Sequence, residues 1–364
     1  MKKIIATVLA LAMLAVCFTL LCSCGKEYEI AVVTDIGQLM DKGFNQGTYE
    51  GAKAYAEKNN IGYKYYQPAN GSDATDNDRV AAMRQAINNG AKVIVTPGFL
   101  QETAIKTVAK EHPEVKFVFV DGWAMGKDYP NVTAIVYKEQ ECGYMAGYAV
   151  VKEGYTKLGY TGGGGGTNPA CNRFGYGFVQ GAEAAAKELG VDVSIKYSYK
   201  YGEAFSASTE LQTQISSWFA AGTEVVFSCG GSMLQSVKSA AKEYPTAKIV
   251  GVDTDQSGES DQIITSAMKG LAVSVETVLG QFYAGKWDAE LANVAQNLGA
   301  KENATGLPTE EGSWRFTKFT VDEYNTLFKA IQNGTVVPSA DVPANAADGE
   351  WLTGFEKVTV DFEK

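Results

Sequence analysis

Histidine is almost missing from this chain, whose 364 residues include a single one, His112. A Ser-His-Asp triad needs a histidine beside its nucleophile, and a multi-histidine metal site needs several such ligands. Both kinds of site are therefore excluded, and His112, which follows a helix-like segment, is expected at the surface. We predict no catalytic residue, no metal site and no cofactor.

Cysteine is scarce as well. After the first 24 residues the chain contains only Cys142, Cys171 and Cys229. An odd number of cysteines this far apart does not form a disulfide framework. Because an unpaired cysteine usually behaves as a small apolar residue, we expect three buried free thiols.

The chain has few positive charges relative to negative ones, with 32 lysines and arginines against 42 aspartates and glutamates. Its net charge is −10. Removal of an N-terminal segment that contains Lys2 and Lys3 makes the chain more acidic still. Such a protein is repelled by phosphate backbones and by anionic lipid surfaces. We therefore expect no nucleic-acid partner and no charge-driven binding to a membrane surface.

The N-terminal residues have the pattern of a bacterial lipoprotein signal. Lys2 and Lys3 are followed by an apolar run over residues 4–21, and then by Ser23 and Cys24. A basic start, an apolar stretch and a small residue at the cleavage site are typical of secreted precursors. We interpret residues 1–23 as the signal, Cys24 as the lipidated residue and residues 24–28 as a short tether.

An uncleaved membrane anchor is the alternative for this segment, but its apolar run is somewhat short for a membrane span. Lipidation would attach the protein to the cell membrane through the lipid on Cys24 only. The folded part would then lie on the extracytoplasmic side.

A strand, a loop and a helix start are predicted over residues 30–51. The apolar run Ile30–Val33 is typical of a buried parallel strand, and open α/β sheets bind ligands at such strand ends. The loop supplies the carboxylate of Asp35, the ring of Phe44 and the amide of Asn45, which can together stack on a planar group and hydrogen-bond its edge. The alternative, equally open here, is that Asp35 or Asp41 caps the helix and Phe44 packs in the core.

An internal repeat predicts the architecture. The segment G-F-N-Q-G at residues 43–47 recurs as G-F-V-Q-G at residues 177–181, and both copies are expected to open a helix. The segment that ends V-F-V-D at Asp121 recurs as one that ends V-G-V-D at Asp253. Because the matches keep one order and a near-constant offset, each half is predicted to have the same β-α-β-α-β-α-β unit.

Short apolar strands alternating with helices indicate a doubly wound parallel sheet in an α/β protein. The mature chain of about 340 residues is too long for one core, so two lobes with a cleft between them are expected. We assign residues 29–141 and 254–285 to the first lobe. Residues 142–253 and 286–364 are assigned to the second.

The cleft is expected to receive carboxylates from both lobes. Each carboxylate can accept hydrogen bonds from two neighbouring hydroxyl groups, which suits a neutral polyol. Asp121 and Asp253 are predicted to face the cleft, whereas Asp255 is predicted to cap a loop or a helix. The glycine run at residues 162–166 lacks G-K-[ST] and the dinucleotide fingerprint, so we interpret it as a turn at the cleft edge and not as a phosphate loop.

Four motifs occur in the order and spacing of a known family. They are D-K-G-F-N-Q-G at residues 41–47, R-F-G-Y-G-F-V-Q-G-A at residues 173–182, G-V-D-T-D-Q at residues 251–256 and T-S-A-M-K-G at residues 265–270. The chain thereby resembles the basic membrane protein family of bacterial lipoproteins, also called the purine nucleoside receptor A type. The resemblance implies the type I periplasmic-binding-protein fold and a substrate-binding role for an ABC importer.

The resemblance also implies a set of ligand-binding residues, which are Asp35, Phe44, Asn45, Asp121, Phe205, Gly230, Asp253 and Lys269. Phe44 and Phe205 would stack on the two faces of a purine, with Asp35 and Asn45 at its edges. On the sugar side, carboxylate and ammonium groups would bind the ribose hydroxyls. The backbone at Gly230 would approach the ligand closely.

Three functions are compatible with these residues. The one we favour is a monomeric receptor that captures a nucleoside and delivers it to the permease of an ABC importer. The second is a binding protein for a sugar or another small metabolite on the same fold. The third is a nucleoside hydrolase with aspartates around calcium, although the acids here are dispersed between two lobes.

Overall fold

Two β-sheets flanked by helices make up the structure, a computed structural model that describes residues 28–36 and 38–364. The strands are β1 (Ile30–Val33), β2 (Tyr63–Tyr66), β3 (Val93–Pro97), β4 (Lys116–Val120), β5 (Val132–Tyr137), β6 (Lys157–Gly162), β7 (Val193–Ser198), β8 (Val225–Cys229), β9 (Lys248–Asp253), β10 (Ile263–Lys269), β11 (Ala295–Leu298), β12 (Thr305–Gly306) and β13 (Val358–Glu363). The α-helices are α1 (Phe44–Lys58), α2 (Asp76–Asn88), α3 (Glu102–Glu111), α4 (Glu139–Glu153), α5 (Pro169–Leu189), α6 (Thr209–Ala220), α7 (Met233–Ala241), α8 (Leu271–Tyr283) and α9 (Val321–Gln332).

The first sheet has the strand order β11-β5-β4-β3-β1-β2, and the second has β12-β10-β9-β8-β6-β7-β13. Neighbouring strands are parallel except for the antiparallel pair β10–β12. Apolar strands such as Ile30–Val33 are buried along their whole length, as strands covered on both faces must be. The prediction of two doubly wound parallel sheets in an α/β protein is confirmed.

The predicted signal at residues 1–23 and the lipid site at Cys24 lie outside the described residues. Within residues 28–36 and 38–364, none of the helices combines the length and the apolar character needed to cross a membrane. His112 lies at the C-terminal end of α3, where its Nδ1 is 3.2 Å from Glu114 Oε1.

The sequence-based assignment of the late segments to lobes is wrong for two strands. Strand β10 lies within residues 254–285, assigned to the first lobe, yet it pairs with β9 in the second sheet. Strand β11 lies within residues 286–364, assigned to the second lobe, yet it pairs with β5 in the first sheet. Strand β10 is buried between β9 and β12, whereas β11 is a partly exposed edge strand beside β5. Which strand each one pairs with is decided by the assembled sheets and is not visible in a local pattern.

Within the part of the chain that the structure describes, three crossings join the lobes: residues 137–139 between β5 and α4, residues 269–271 between β10 and α8, and residues 298–300 after β11. Helix α4 packs in the core of the second lobe through Cys142 and Met145. Helix α8 packs in the core of the first lobe through Leu271 and Val275. The three crossings follow the carboxyl ends of β5, β10 and β11, and Lys269 in the second of them borders the cleft.

The second copy of the repeated motif does not open a helix, which corrects that prediction. Helix α5 begins earlier, at Pro169, because Asn168 Oδ1 accepts a hydrogen bond from Cys171 N at 2.9 Å and proline suits the first helical position. The motif instead brings α4 and α5 into backbone contact. A Cβ atom on Gly181 would lie 1.9 Å from the Tyr144 carbonyl oxygen.

Glu153, the last residue of α4, binds the segment that precedes α9. Its Oε1 accepts hydrogen bonds from Thr317 N and Oγ1 at 2.9 and 2.6 Å, and its Oε2 accepts from the N–H groups of Lys318 and Phe319 at 2.8 and 3.0 Å. Burial raises the pKa of Glu153, but these bonds outweigh burial and leave the pKa below its usual value.

We expect Glu153→Gln to lower the free energy of unfolding by about 1–3 kcal/mol, because the amide nitrogen is a donor that faces N–H groups. Since the folded-state pKa is depressed, the contribution of the carboxylate is present at neutral pH and is lost as the pH falls below about 4.3. Urea unfolding at neutral and acidic pH measures the difference. The exposed Glu243→Gln is the control, and an equal loss at both pH values would contradict the role of the ionised group.

Candidate functional site

The carboxyl ends of strands from both sheets border one cavity of about 370 Å³. Sites for small molecules usually occupy about 300–1,000 Å³. Asp35 and Asp121 follow β1 and β4 of the first sheet, and Gly230 follows β8 of the second. Asp253 is the last residue of β9. The repeat therefore brings matching strand ends to face each other across one space.

All eight residues predicted to bind a ligand line this cavity. The first lobe contributes Asp35, Phe44, Asn45 and Asp121, and the second contributes Phe205, Gly230, Asp253 and Lys269. The structure thus collects these side chains at one place. Their contacts with a ligand remain a prediction.

Asp121 and Asp253 occupy equivalent positions, and both have a left-handed backbone, with φ of 57° and 67°. A non-glycine residue in this region costs conformational energy, and such residues cluster at functional sites. The matching Gly98 and Gly230 also have positive φ, of 102° and 151°. A Cβ atom on Gly98 would lie 1.9 Å from Asp35 Oδ2, so only glycine leaves room for that carboxylate.

Lys269 is at the centre of a buried cluster of charges. Its Nζ donates to Asp121 Oδ2 at 2.6 Å, and lies 3.4 Å from Glu139 Oε1 and 3.6 Å from Asp253 Oδ1. The same Nζ is 4.9 Å from the centre of the Phe44 ring, a cation–π distance. Asp121 and Phe44 belong to the first lobe and Lys269 to the second, so the cluster connects the lobes.

Glu139 and Arg173 belong to this cluster and were not predicted. Arg173 Nε donates to Glu139 Oε2 at 2.7 Å. Arg173 opens the motif R-F-G-Y-G, and a basic residue on a largely apolar helix is a signal that could have identified it. Glu139 carries no such signal, because a glutamate in the first turn of a helix is ordinarily an exposed residue that favours the helix dipole.

Burial and neighbouring charges determine the protonation of the cluster. Burial raises the pKa of Asp253 to about 7, against the lowering effect of Lys269, and the carboxylates of Asp121, Asp41 and Glu139 add to the rise. Burial also raises the pKa of Asp121. Burial lowers the pKa of Lys269, but its carboxylate neighbours more than offset this and raise it well above its usual value. The lysine is therefore charged at neutral pH, where Asp253 is partly protonated.

The residues at the start of α1 make different contacts: Asp41 caps the helix, whereas Phe44 and Asn45 line the cavity. Asp41 caps the helix, since its Oδ1 accepts from Gly43 N and Gln46 N at 2.9 and 3.1 Å and its Oδ2 accepts from Asn45 N at 3.0 Å. Phe44 is half-buried, lines the cavity and also packs against the core of the first lobe. Asn45 is buried, and its Oδ1 accepts no hydrogen bond from the residues described. The capping alternative is thus right for Asp41.

The ring of Phe205 packs against the glycine run at residues 162–166. A Cβ atom on Gly163 would lie 2.3 Å from the Phe205 ring. Gly163 N donates to the Cys229 carbonyl oxygen at 2.8 Å, and Gly164 N donates to that of Gly202 at 3.1 Å. These two N–H groups are therefore engaged within the chain. The run contains a turn, and its glycines make room for the ring of Phe205, which lines the cavity.

The three cysteines of the described chain, Cys142, Cys171 and Cys229, are buried free thiols, as expected. Cys171 and Cys229 also line the cavity. Burial raises the pKa of Cys229 well above its usual value. The thiol is therefore neutral, and it forms part of the apolar wall of the cleft.

Solved structures of solute-binding proteins share this fold. A solute-binding protein of an ABC transporter system from Aeropyrum pernix K1 matches with a TM-score of 0.73 at 22% identity, over 86% of this chain and 94% of that one. A counterpart from Conexibacter woesei matches with a TM-score of 0.67 at 19% identity, over 87% and 99%. Two lobes with one cleft between them define the chain as a type I periplasmic-binding protein in fold.

The family follows from the sequence. The model of the Bmp family, described as ABC transporter substrate-binding protein PnrA-like, matches residues 28–339, and the chain belongs to that family. The ABC transporter nucleoside-binding protein BmpA of Lactococcus lactis subsp. cremoris is 29% identical over 84% of this chain and 93% of its own length. Basic membrane protein B of Borreliella burgdorferi is 26% identical over 79% and 82%. The resemblance predicted from the motifs is confirmed, and with it a substrate-binding role.

We expect Lys269→Met to lower the free energy of unfolding by about 3–5 kcal/mol near pH 8, because three carboxylates lose their buried cation. The pKa values of Asp121 and Asp253 then rise further, since the charge that lowered them is gone. A carboxyl group with a raised folded-state pKa binds protons in the folded state. The variant should therefore become more stable as the pH falls towards about 5.5, more steeply than the wild type.

Urea unfolding across this pH range measures the effect. Lys58→Met, which removes an exposed lysine of α1, is the matched control and should change stability little at any pH. A loss at position 269 that is small and independent of pH would mean that the cluster does not depend on its lysine.

Proposed function

We propose that the protein captures nucleosides with a purine base outside the cytoplasm and delivers them to the permease of an ABC importer. The observation that carries this proposal is the composition of the cleft. Two phenylalanine rings from opposite lobes face a cavity that also holds the carboxylates of Asp121 and Asp253. The Lactococcus lactis relative is named as a nucleoside-binding protein, which agrees with this reading.

The rings and amides of the cleft suit a planar base. Aromatic side chains can stack on any nucleobase, because every base has a flat π-face. Each such contact contributes about 1–3 kcal/mol to binding. Phe44 and Phe205 are both half-buried at the cavity, so their faces can be covered by a ligand. The unused Oδ1 of Asn45 is an acceptor for an N–H group of the base edge. The carboxylate of Asp35 supplies a second acceptor.

The charged part of the cleft suits the hydroxyl groups of a ribose. Asp121 Oδ1 is buried and accepts no hydrogen bond from the residues described. Asp253 lies 3.6 Å from Lys269, so its carboxylate is held in place while it remains able to accept further bonds. The carboxylates of the cluster pair with Lys269 and Arg173. Carboxylates that are already paired with side-chain cations do not form the calcium site that a calcium-dependent hydrolase needs.

Binding is expected to close the cleft. The lobes are joined only by crossings near the cavity within the chain described, which is the arrangement of a hinge. In this structure the lobes also meet at the cleft loop, where the Lys42 carbonyl oxygen accepts from Thr254 Oγ1 at 3.0 Å and from Gln256 Nε2 at 2.8 Å. We propose that the receptor acts as a monomer and that the permease recognises its closed form.

We expect calorimetry to show tight binding of guanosine, with guanine and 2′-deoxyguanosine weaker by about 1–3 kcal/mol, because buried acceptors then lose their hydroxyl partners. Guanosine monophosphate should not bind, since five carboxylates at or behind the cavity wall outnumber the cations of Lys269 and Arg173. Monophosphate binding as tight as that of guanosine would contradict the proposal. Equal affinity for ribose alone would favour the sugar-binding alternative.

Two variants serve as internal controls for this comparison. Phe44→Ala should weaken guanosine and guanine alike, because it removes a surface for the base. Asp253→Asn should weaken guanosine more than guanine, because it removes an acceptor for the ribose. Equal losses for both ligands in Asp253→Asn would show that this carboxylate does not meet the sugar.

We also propose that the receptor is held at the outer face of the cell membrane by a lipid on Cys24. Cys24→Ser should abolish incorporation of labelled palmitate, because serine lacks the thiol that receives the lipid. Cys22→Ser is the matched control and should leave the labelling unchanged. Labelling that persists in Cys24→Ser would refute the assignment of the lipid site.

A further inference from the structure

Glu139 lies at the first crossing between the lobes, as the first residue of α4. Its side chain is fully buried, and it lies behind Lys269 and not on the cavity wall. It accepts a hydrogen bond from Arg173 and lies 3.4 Å from the Lys269 ammonium group. Lys269 is the last residue of β10 and the first of the second crossing. The carboxylate of Glu139 therefore connects two of the three crossings.

Glu141, in the same helical turn, reaches the third crossing. Its Oε2 accepts from Ala300 N at 2.6 Å and from Thr305 Oγ1 at 3.0 Å. The first turn of α4 is thus bonded to both of the other crossings. A change in the position of this turn must move the charges at the cavity wall, because interior groups are close-packed.

We propose that Glu139 is a positioning residue of the cleft, which holds Lys269 and Arg173 at the hinge and thereby determines how Asp121 and Asp253 present their charges to a ligand. Glu139 itself contacts no ligand in this arrangement. The inference rests on the proposed function only in taking Asp253 as a ligand contact.

The electrostatic consequence concerns Asp253. The charged groups that act on Asp253 are Lys269, Asp121, Asp41 and Glu139, and the neutral thiols of Cys142 and Cys229 also lie near it. Arg173 acts on Asp253 through its hydrogen bond to Glu139. Glu139 is a like charge that contributes to the raised pKa of Asp253. Its replacement by glutamine removes that charge and leaves Arg173 uncompensated. Both changes favour the ionised form of Asp253.

The experiment follows the titration of Asp253 without ligand, by carboxyl-carbon NMR of the protein labelled at aspartate. The signal is assigned by its loss in Asp253→Asn. We expect Glu139→Gln to move the midpoint down by about one pH unit, because it removes a like charge from the same buried cluster. Arg173→Gln should move it up, because Glu139 then acts without its partner. Opposite shifts are a result that a merely structural role does not produce.

Glu153→Gln is the matched control, because it alters a well-bonded carboxylate at the far end of the same helix. It should lower stability and leave the Asp253 midpoint unchanged. An unchanged midpoint in both cluster variants, or an equal shift in Glu153→Gln, would overturn the inference. If Glu139→Gln does not fold, the titration midpoint of Asp253 in Arg173→Gln decides: an upward shift supports the inference, and an unchanged midpoint overturns it.

The two proposals fail separately. The titration needs no nucleoside, so a wild-type protein that binds no guanosine would refute the proposed function and leave this test intact. In a protein that does bind, Glu139→Gln should retain its affinity to lower pH than the wild type, in step with the titration. Affinity that falls equally at all pH values in this variant would contradict the positioning role.

Discussion

The cleft depends on one buried ammonium group. Lys269 is surrounded by the carboxylates of Asp121, Glu139 and Asp253, and its side chain is only 2% exposed. Burying these charges costs several kcal/mol per ion, which apolar packing would avoid. What the cluster provides is a fixed relation between elements, because its members come from the residue after β4, from α4 and α5, and from the ends of β9 and β10. Neither lobe can form it alone.

The internal repeat explains why the cluster lies where it does. In parallel sheets the carboxyl ends of all strands point to one edge, so two facing sheets offer two such edges to one cavity. The left-handed backbones of Asp121 and Asp253 appear at the same place in each repeat. A symmetric fold thus gives two acidic strand ends, and only the second lobe adds a lysine beside its own. The two aspartates therefore share a single cation across the cleft.

Much of this could be predicted from the sequence, for identifiable reasons. The strands are short and apolar because helices cover both of their faces. The residues at their carboxyl ends must then reach the cavity, and this pattern predicts Asp35 and Asp253 as cavity residues. The role of Glu139 could not be predicted from the sequence, because it arises only when the start of one helix packs behind the end of a distant strand. The positions of β10 and β11 could not be predicted because the partners of each strand are decided by the assembled sheets. Phe205 lies in an irregular loop, so periodicity could not indicate it and only the family resemblance did.

The unused hydrogen-bonding groups of the cleft indicate what it can hold. Asn45 Oδ1 and Asp121 Oδ1 are acceptors without a hydrogen bond among the described residues, whereas the basic groups Lys269 and Arg173 are both engaged by carboxylates. An unused buried acceptor requires a donor, which the N–H edge of a base or a sugar hydroxyl provides. A phosphate oxygen offers only further acceptors, and it would compete with Asp121 for the ammonium group of Lys269. Because the cations of the cleft are already paired, we expect it to favour a neutral ligand rich in donors.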